Sequence, residues 1–404
     1  MDTRRSLFRI GTALSPRPEF RQETMEFPVR IAFVLSGLGT GGAEKIVNLL
    51  AHHRLSRGDA VSVIAVNAGT PDSYFPYDRA IEIHALAKGA SGPLGVLLRT
   101  LALRRRLRRF KPDIVISFLT KINVQTGLAA TGLGVPFVLS ERNNFLTQEM
   151  SPFWRRASPI VARRAKCLVM QTREACRSLP EDLWPKVTII PNPVALPENW
   201  SRTPGDGSRI VAVGRLDRQK GFDLLLQAFA NIAGSLPAVT LTIFGEGAQR
   251  TALERQVQDL GLGDRVRLPG VTKSPVDWIS AGDIFVLSSR FEGFPNAVLE
   301  AMTAGLATIA FDCPWGPSEI LDGPDAGLLV PAGDVLRLGE AIRNVATDPA
   351  LRHLLADAGA RTAASRYATA PVLARWDAVI AQALGQTTRP DAAPSLHAGA
   401  RKAR

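Results

Sequence analysis

Twice along this chain an apolar run of buried-strand type opens into a glycine turn and then a helix. That repeat constrains the fold more than any other feature. The first copy covers residues 29–35, then Ser36-Gly37-Leu38-Gly39-Thr40-Gly41-Gly42, then a helical stretch over 43–55. The second covers 210–213, then Gly214-Arg215-Leu216, then a helix over 222–233. Further strands are expected at 61–66, 81–83, 113–117, 137–140 and 167–170, and again at 240–244, 266–268, 284–288 and 308–310. Helical stretches separate most of them. Alternation of this kind predicts parallel, doubly wound sheets of the α/β class.

With 404 residues the chain is too long for one core, so two domains are expected. A proline-rich passage from Pro191-Asn192-Pro193 through Pro197 to Pro204-Gly205-Asp206-Gly207 reads as the connection. We therefore expect an N-terminal domain over 28–195 and a second domain over 196–366. Helices are expected over 336–347 and 350–366. A last helix, 367–385, places Val372, Leu373, Trp376, Val379, Ile380 and Leu384 on one face. Residues 1–27 carry Arg4, Arg5 and Arg9 without a clear period, and read as a disordered lead-in or a basic surface anchor. Residues 386–404 read as a disordered tail.

The formal net charge is +12, and residues 1–200 hold all of it, with 28 basic and 16 acidic side chains. A basic half points to an anionic partner: nucleic acid, a membrane surface or a phosphorylated acceptor. Residues 99–111 interleave Leu101, Leu103, Leu107 and Phe110 with seven basic residues, and Arg155, Arg156, Arg163, Arg164 and Lys166 surround Phe153 and Trp154. These stretches are either solvated helix faces or a docking surface for anionic lipid. No recognition motif accompanies the charge, so nucleic acid is not expected as a partner. No apolar run reaches the roughly 18–20 residues of a spanning helix, and no secretory h-region opens the chain. A cytoplasmic protein, peripheral on the inner face of the plasma membrane, is the expectation. Cys167, Cys176 and Cys313 are not in metal-ligand spacing.

The chemistry concentrates in three places. Gly37, Gly39 and Gly42 match the G-x-G-x-x-G spacing that lets a backbone approach a ligand at a helix N-terminus, though a tight strand-to-helix turn has the same spacing. Arg215 and Lys220 flank the start of a helix at a sheet edge. A planar fork and a point charge there suit a diphosphate, and a solvated basic turn is the bland alternative. Glu292 and Glu300 flank a turn, Gly293-Phe294-Pro295-Asn296, with Asn296 expected as N-cap and Gly305 as the stop. Glu300 then falls in about the first turn, where a carboxylate either complements the helix dipole or grips a vicinal diol. Leu299 and Met302 are expected in the core.

The segments G-R-L-D-R-Q-K-G-F-D-L-L-L-Q-A-F, G-E-G at Gly245–Gly247 and S-R-F-E-G-F-P-N-A-V-L-E-A-M together resemble the GT-B glycosyltransferases of family 4. Ser140-Glu141-Arg142-Asn143-Asn144 and the Cys313-Pro314 to Glu319-Ile320 stretch resemble the branch that extends lipid-linked oligosaccharides and surface polysaccharides. The resemblance implies two Rossmann-like domains facing a cleft, with the last helix crossing back to the first domain. It implies transfer of a hexose or N-acetylhexosamine from a nucleotide-diphosphate sugar, UDP being the expected nucleotide, to a lipid-linked or polysaccharide acceptor. Family members retain anomeric configuration and use no metal or other cofactor. By motif, Arg215 and Lys220 meet the diphosphate, Glu292 the donor sugar and Glu300 the ribose. Gly293, Phe294, Asn296 and Ala297 line the phosphate and sugar, Gly245 the same edge, and Gly41 and Gly42 the opposite wall. Arg142 stands where many relatives carry a His. His52, His53, His84 and His353 read as surface or packing residues. Two rival readings remain, a non-catalytic nucleotide-sugar-binding subunit and a sugar-nucleotide epimerase or dehydrogenase. The second needs a Tyr-x-x-x-Lys pair that the chain lacks.

Overall fold

The computed structural model describes residues 28–39, 41–86, 92–142, 150–194, 196–197, 200–272 and 274–386. The expected lead-in 1–27 and all but the first residue of the expected tail lie outside them, as do Asn143 and Asn144.

Two parallel sheets form, each in a Rossmann-like unit. The first contains β1 (Arg30–Leu35), β2 (Ala60–Ala65), β3 (Glu82–Ala85), β4 (Ile114–Phe118), β5 (Phe137–Ser140), β6 (Cys167–Met170) and β7 (Val187–Ile189), in the order β3-β2-β1-β4-β5-β6-β7. Its helices are α1 (Gly42–Ser56), α2 (Gly92–Phe110), α3 (Thr120–Ala130), α4 (Pro152–Arg164) and the short α5 (Arg173–Cys176). The second sheet contains β8 (Arg209–Val213), β9 (Thr240–Phe244), β10 (Val266–Gly270), β11 (Ile284–Leu287), β12 (Ala307–Asp312) and β13 (Leu328–Pro331), in the order β10-β9-β8-β11-β12-β13. Around it lie α6 (Phe222–Ala233), α7 (Arg250–Asp259), α8 (Pro275–Ser280), α9 (Asn296–Thr303), α10 (Pro317–Ile320), α11 (Val335–Thr347) and α12 (Pro349–Tyr367), followed by α13 (Thr369–Ala383).

The continuous apolar pattern of β1 follows from burial on both faces. Ile31, Phe33 and Leu35 pack toward α1 and α13, and Ala32 and Val34 pack toward α2 and α3. Strands β7 and β13 are not among the expected ones. β7 is three half-buried residues, and β13 has one buried side chain in four, so neither carries the apolar run that marks the others.

Helix α13 returns to the first unit. Val372, Trp376, Val379 and Ile380 join the core built on β1 and α1. Trp376 is fully buried, with its ring 5.8 Å from that of Phe118. Removing such a side chain costs about 3–5 kcal/mol. A polar clasp fixes the same helix. Arg54, also fully buried, meets Asp59 at 2.6 Å and Asp377 at 2.6 Å, and His53 reaches Asp377 at 2.9 Å. Burial pushes the Asp377 carboxyl up, and the hydrogen bonds from His53 and Arg54 outweigh it, holding it below the usual range. The chain thus crosses between units twice, after β7 and at Ala368. The two crossings lie side by side, joined by the Val194 N–H donating to the Tyr367 carbonyl at 2.9 Å.

Candidate active site

In open parallel sheets ligands bind beyond the carboxyl ends of the strands, where strand order reverses. In the second sheet that point lies between β8 and β11, which pair directly. The turns leaving these two strands carry Lys220 and Glu292. Backbone packing locks them together. Gly221 has φ +62°, and a Cβ there would lie 2.1 Å from the Ser288 carbonyl, so only glycine fits. Ser288 Oγ donates to the Lys220 carbonyl at 2.9 Å, and Arg290 grips Asp223 through two bonds of 2.8 and 2.7 Å.

The result is a close ion pair. Lys220 Nζ lies 2.6 Å from Glu292 Oε1, with side chains only 18% and 5% exposed. Ser289 Oγ donates to the same oxygen at 2.5 Å. Among the described residues both side-chain contacts of Glu292 fall on Oε1, and the Lys220 ammonium uses one of its three N–H donors there. The two residues expected on opposite parts of a donor, phosphate and sugar, are here in direct contact. Arg215 is not brought to them. Its side chain is 76% exposed and turns toward Asp217 at 3.3 Å and Gln219 at 3.4 Å. Gly245 has a packing reason of its own: at φ +141° its backbone abuts Gly214, where a Cβ would come within 1.8 Å of the carbonyl oxygen.

Helix α9 corrects two expectations. Its N-cap is Pro295, not Asn296, which is the first helical residue and makes no cap bond with its side chain. Glu300 therefore stands in the second turn. Gly305, at φ +67°, ends the helix as expected, and Leu299 and Met302 are buried. Gly293, Phe294 and Ala297 are half-buried around the turn that leads from Glu292 into α9. Burial raises the Glu300 carboxyl above its usual range, with Lys45 of α1 opposing that rise. A cavity of about 260 Å³ lies between α1 and α9, lined by Gly42, Lys45, Asn192, Asn296 and Glu300 among others. Gly42 faces Asn296 across it, for a Cβ on Gly42 would sit 3.5 Å from Asn296 Nδ2. Gly41 is exposed at the same helix start.

A polar relay links the two units beneath this cavity. Arg142, after β5, lies against the rings of both Phe118 and Trp376, 5.4 and 5.7 Å from their centroids. Its Nε donates to Ser140 Oγ at 2.9 Å and its Nη1 to Asn192 Oδ1 at 2.5 Å. Asn192 Nδ2 then donates to Asn296 Oδ1 at 2.8 Å. Arginine has only donors, so Asn192 must present its oxygen to Arg142 and its amide nitrogen to Asn296. Asn296 must in turn present its oxygen, which leaves its NH₂ on the Gly42 side. Burial pulls Arg142 down to about 9, against the pull of Glu141. Nη2 of Arg142 is buried with no partner among the described residues. Arg142 and Asn296 of this relay are expected site residues, whereas Asn192 falls in the passage expected to be the connection. Its position between two prolines was the only local signal. Lys45 has no motif of its own, and Ser289, although it opens the S-R-F-E-G-F segment, is assigned no role from the sequence.

The motif around Cys313 and Glu319 holds the units together. Glu319 accepts the N–H groups of Arg173 and Glu174 at 2.8 and 2.7 Å, and Glu174 accepts that of Trp315 at 3.1 Å. Trp315 packs on Met170, Ala175 and Cys176. Burial, with Glu292 adding to it, pushes the Cys313 thiol up to about 12. The described histidines have structural partners at most of these positions: His52 stacks on Tyr77, His53 pairs with Asp377, and His84 meets Glu82 and Arg106.

Two Rossmann-like units facing a cleft, with the last helix returning to the first, define the GT-B class. A family model described as Glycosyltransferase Family 4 matches residues 40–197, and one described as Glycosyl transferases group 1 matches residues 207–348. The chain belongs to the family-4 glycosyltransferases. It is 28% identical to an exopolysaccharide phosphotransferase of Streptomyces coelicolor over 90% of this chain but 42% of that protein, so it spans less than half of that relative's length. It is 24% identical, over 88% of this chain and 99% of the relative, to a Campylobacter jejuni protein named as an alpha-1,4-N-acetyl-D-galactosaminyltransferase acting on a GalNAc-containing diNAcBac-PP-undecaprenol. The solved structure of Anabaena HepE in complex with UDP and glucose aligns at a TM-score of 0.73 with 19% identity, covering 87% of this chain and 99% of that one.

Proposed function

We propose that this chain is a retaining glycosyltransferase of polysaccharide or lipid-linked sugar biosynthesis, moving a hexose or N-acetylhexosamine from UDP to a glycan acceptor. The observation that carries the reading is the Lys220–Glu292 pair at the switch point, one turn away from a cleft cavity walled by Asn296 and Glu300. Breaking the bond between sugar and diphosphate leaves extra negative charge on the departing phosphate. Lys220, with Arg215 swung in from the rim, stabilises that charge most as it develops, which lowers the barrier rather than only binding the ground state. A donor phosphate would also give Lys220 a second anion and release Glu292 toward the sugar hydroxyls. Glu300 holds the ribose diol, and the N–H groups at the start of α9, with the Asn296 amide, face phosphate or sugar oxygens. Glu292 acts here as a hydrogen-bond partner of the sugar and not as a covalent nucleophile. In this proposal attack comes from the front face, with the leaving phosphate accepting the acceptor's proton. The relatives' substrates support a UDP-sugar and a lipid-linked acceptor.

The acceptor side favours an anionic membrane. Helices α2 and α4 both pack on α3, and neither contains an acidic residue. Leu94, Leu97, Leu98 and Leu101 on α2, with Phe153 and Ile160 on α4, are between 41% and 61% exposed. Arg105, Arg108, Arg109, Arg155 and Arg156 are exposed beside them. Each well-placed cation near anionic lipid contributes about 1 kcal/mol. No helix among the described residues is long and apolar enough to cross a membrane.

The test is a thermal-shift screen of nucleotide sugars followed by donor turnover with lipid-linked acceptors. UDP-sugar binding and glycosyl transfer are expected. Stabilisation by no nucleotide sugar, with no turnover, overturns the assignment, and binding without turnover indicates a non-catalytic subunit. Sedimentation with phosphatidylglycerol vesicles, and not with phosphatidylcholine ones, checks the membrane face.

A further inference from the structure

A second cavity, of about 280 Å³, lies between the units on the other side of the Phe294–Asn296 turn. Phe294 lines this cavity and Asn296 lines the first, so the two share the wall that carries the donor loop. Its volume is near the lower end of the ~300–1,000 Å³ typical of small-molecule sites.

The polar groups in it are mostly donors. Gln171, at the end of β6, is 7% exposed, and its Nε2 has no partner among the described residues. A buried amide N–H without an acceptor costs about 1–3 kcal/mol, so such a group marks a place where an acceptor atom is missing. Arg173 of the first unit, Arg366 of α12 and Arg375 of α13 converge on the same space. Two carboxylates also line it. Glu319 is committed to the N–H groups of Arg173 and Glu174, and Asp322 faces Arg366, its carboxyl oxygen 3.6 Å from Nη1. Arg173 and Arg375 are exposed, and their guanidinium groups have no partner among the described residues. Donors from the end of β6, α5, α12 and α13, with that of Gln171 buried and unmet, call for a ligand group that only accepts.

We propose that this cavity binds the phosphate or diphosphate of the acceptor. The proposal rests on the reading of the chain as a glycosyltransferase that uses a lipid-linked acceptor. The cavity is separate from the one proposed for the donor and adjoins it at the Phe294–Asn296 turn, so a second anionic ligand can be held there while the first cavity is occupied. Guanidinium groups suit the task, since their fork matches phosphate oxygens through two parallel bonds.

The experiment uses the full chain. With the donor site saturated by UDP, farnesyl diphosphate and inorganic pyrophosphate are titrated separately by calorimetry. The wild type is expected to bind farnesyl diphosphate with UDP present. An Arg173→Ala/Arg375→Ala variant is expected to bind it at least tenfold more weakly, with UDP affinity within twofold of wild type. Both arginines are exposed, so the fold should hold, and an unchanged Tm verifies that. Gln171→Leu, which removes the unmet donor, should weaken farnesyl diphosphate in the same direction. Absence of farnesyl diphosphate binding beside bound UDP, or binding that neither variant changes, overturns the proposal. Tighter binding of farnesyl diphosphate than of pyrophosphate supports an acceptor lipid as the source, and the reverse order overturns that assignment. Failure of UDP itself to bind would instead sink the glycosyltransferase reading, and the pyrophosphate arm can still be read in that case.

Discussion

Replacing Asn192 by Asp tests the polarity of the relay beneath the cavity between α1 and α9. The new carboxylate still accepts from Arg142 Nη1, now as part of an ion pair, so the fold should hold. It has no donor for Asn296. The Asn296 oxygen, 2.8 Å from the present Asn192 amide nitrogen, would face a second oxygen. Turning the Asn296 amide over repairs that contact, but it swings the oxygen toward Gly42 and the donor's anionic groups. On the proposed function, a hydrogen bond from Asn296 to a donor anion is worth about 1.5–3 kcal/mol, which corresponds to about 10- to 150-fold in Kd. Calorimetry with UDP should show a loss of that size with Tm unchanged. Asn192→Ala removes the orientation without reversing it and should lose less, about 0.5–1.5 kcal/mol. If the Asp variant binds UDP within twofold of wild type, or better than the Ala variant, the donor-acceptor argument is wrong.

Three further outcomes are expected. Lys220→Met leaves Glu292 buried and uncompensated, costing about 3–5 kcal/mol in urea unfolding; adding Glu292→Gln should recover most of that while transfer stays lost, and strictly additive losses would contradict the pairing. Glu300→Gln should raise Tm of the ligand-free protein while weakening UDP binding. The folded carboxyl titrates above its unfolded value, so wild-type stability falls as pH rises through that window, and the variant should lack that slope. Asp377 has the opposite sign: its folded value is depressed, so its contribution is complete above about pH 4–5 and is lost as pH falls. Asp377→Asn should therefore flatten the acid limb of stability measured by urea unfolding against pH.

Much of this was legible because burial writes itself into composition. The apolar runs of β1, β8 and β11 and the glycines that follow them announce parallel strands and sheet-edge loops. Gly221 and Gly305 stand where a positive φ is needed, and the face of α13 is visible at helical spacing. What stayed hidden depends on contacts between residues far apart. The Lys220–Glu292 bond spans 72 positions and the Asn192–Asn296 bond spans 104. Local pattern placed Asn296 one position off at the helix start, because Pro295 serves as N-cap where an Asn is the usual choice. Strands β7 and β13, short and half-exposed, carry no period-two or continuous signal. Arg215 illustrates a different limit: sequence set it at the right edge, but its rotamer is decided by Asp217 and Gln219.

The pairing of Val194 with Tyr367 has a mechanical consequence. Two covalent crossings tied at one point leave the units a pivot rather than a flexible strap. Rotation about a pivot displaces atoms in proportion to their distance from it. Val194 and Thr369, beside that point, also line the cavity that contains Glu300. A rotation of the units about that point, once the Glu319 and Trp315 contacts part, would leave that end of the cleft near its present dimensions while the outlying loops sweep the longest arcs. A ligand can stay seated near the axis through an opening that admits or releases a larger one at the rim.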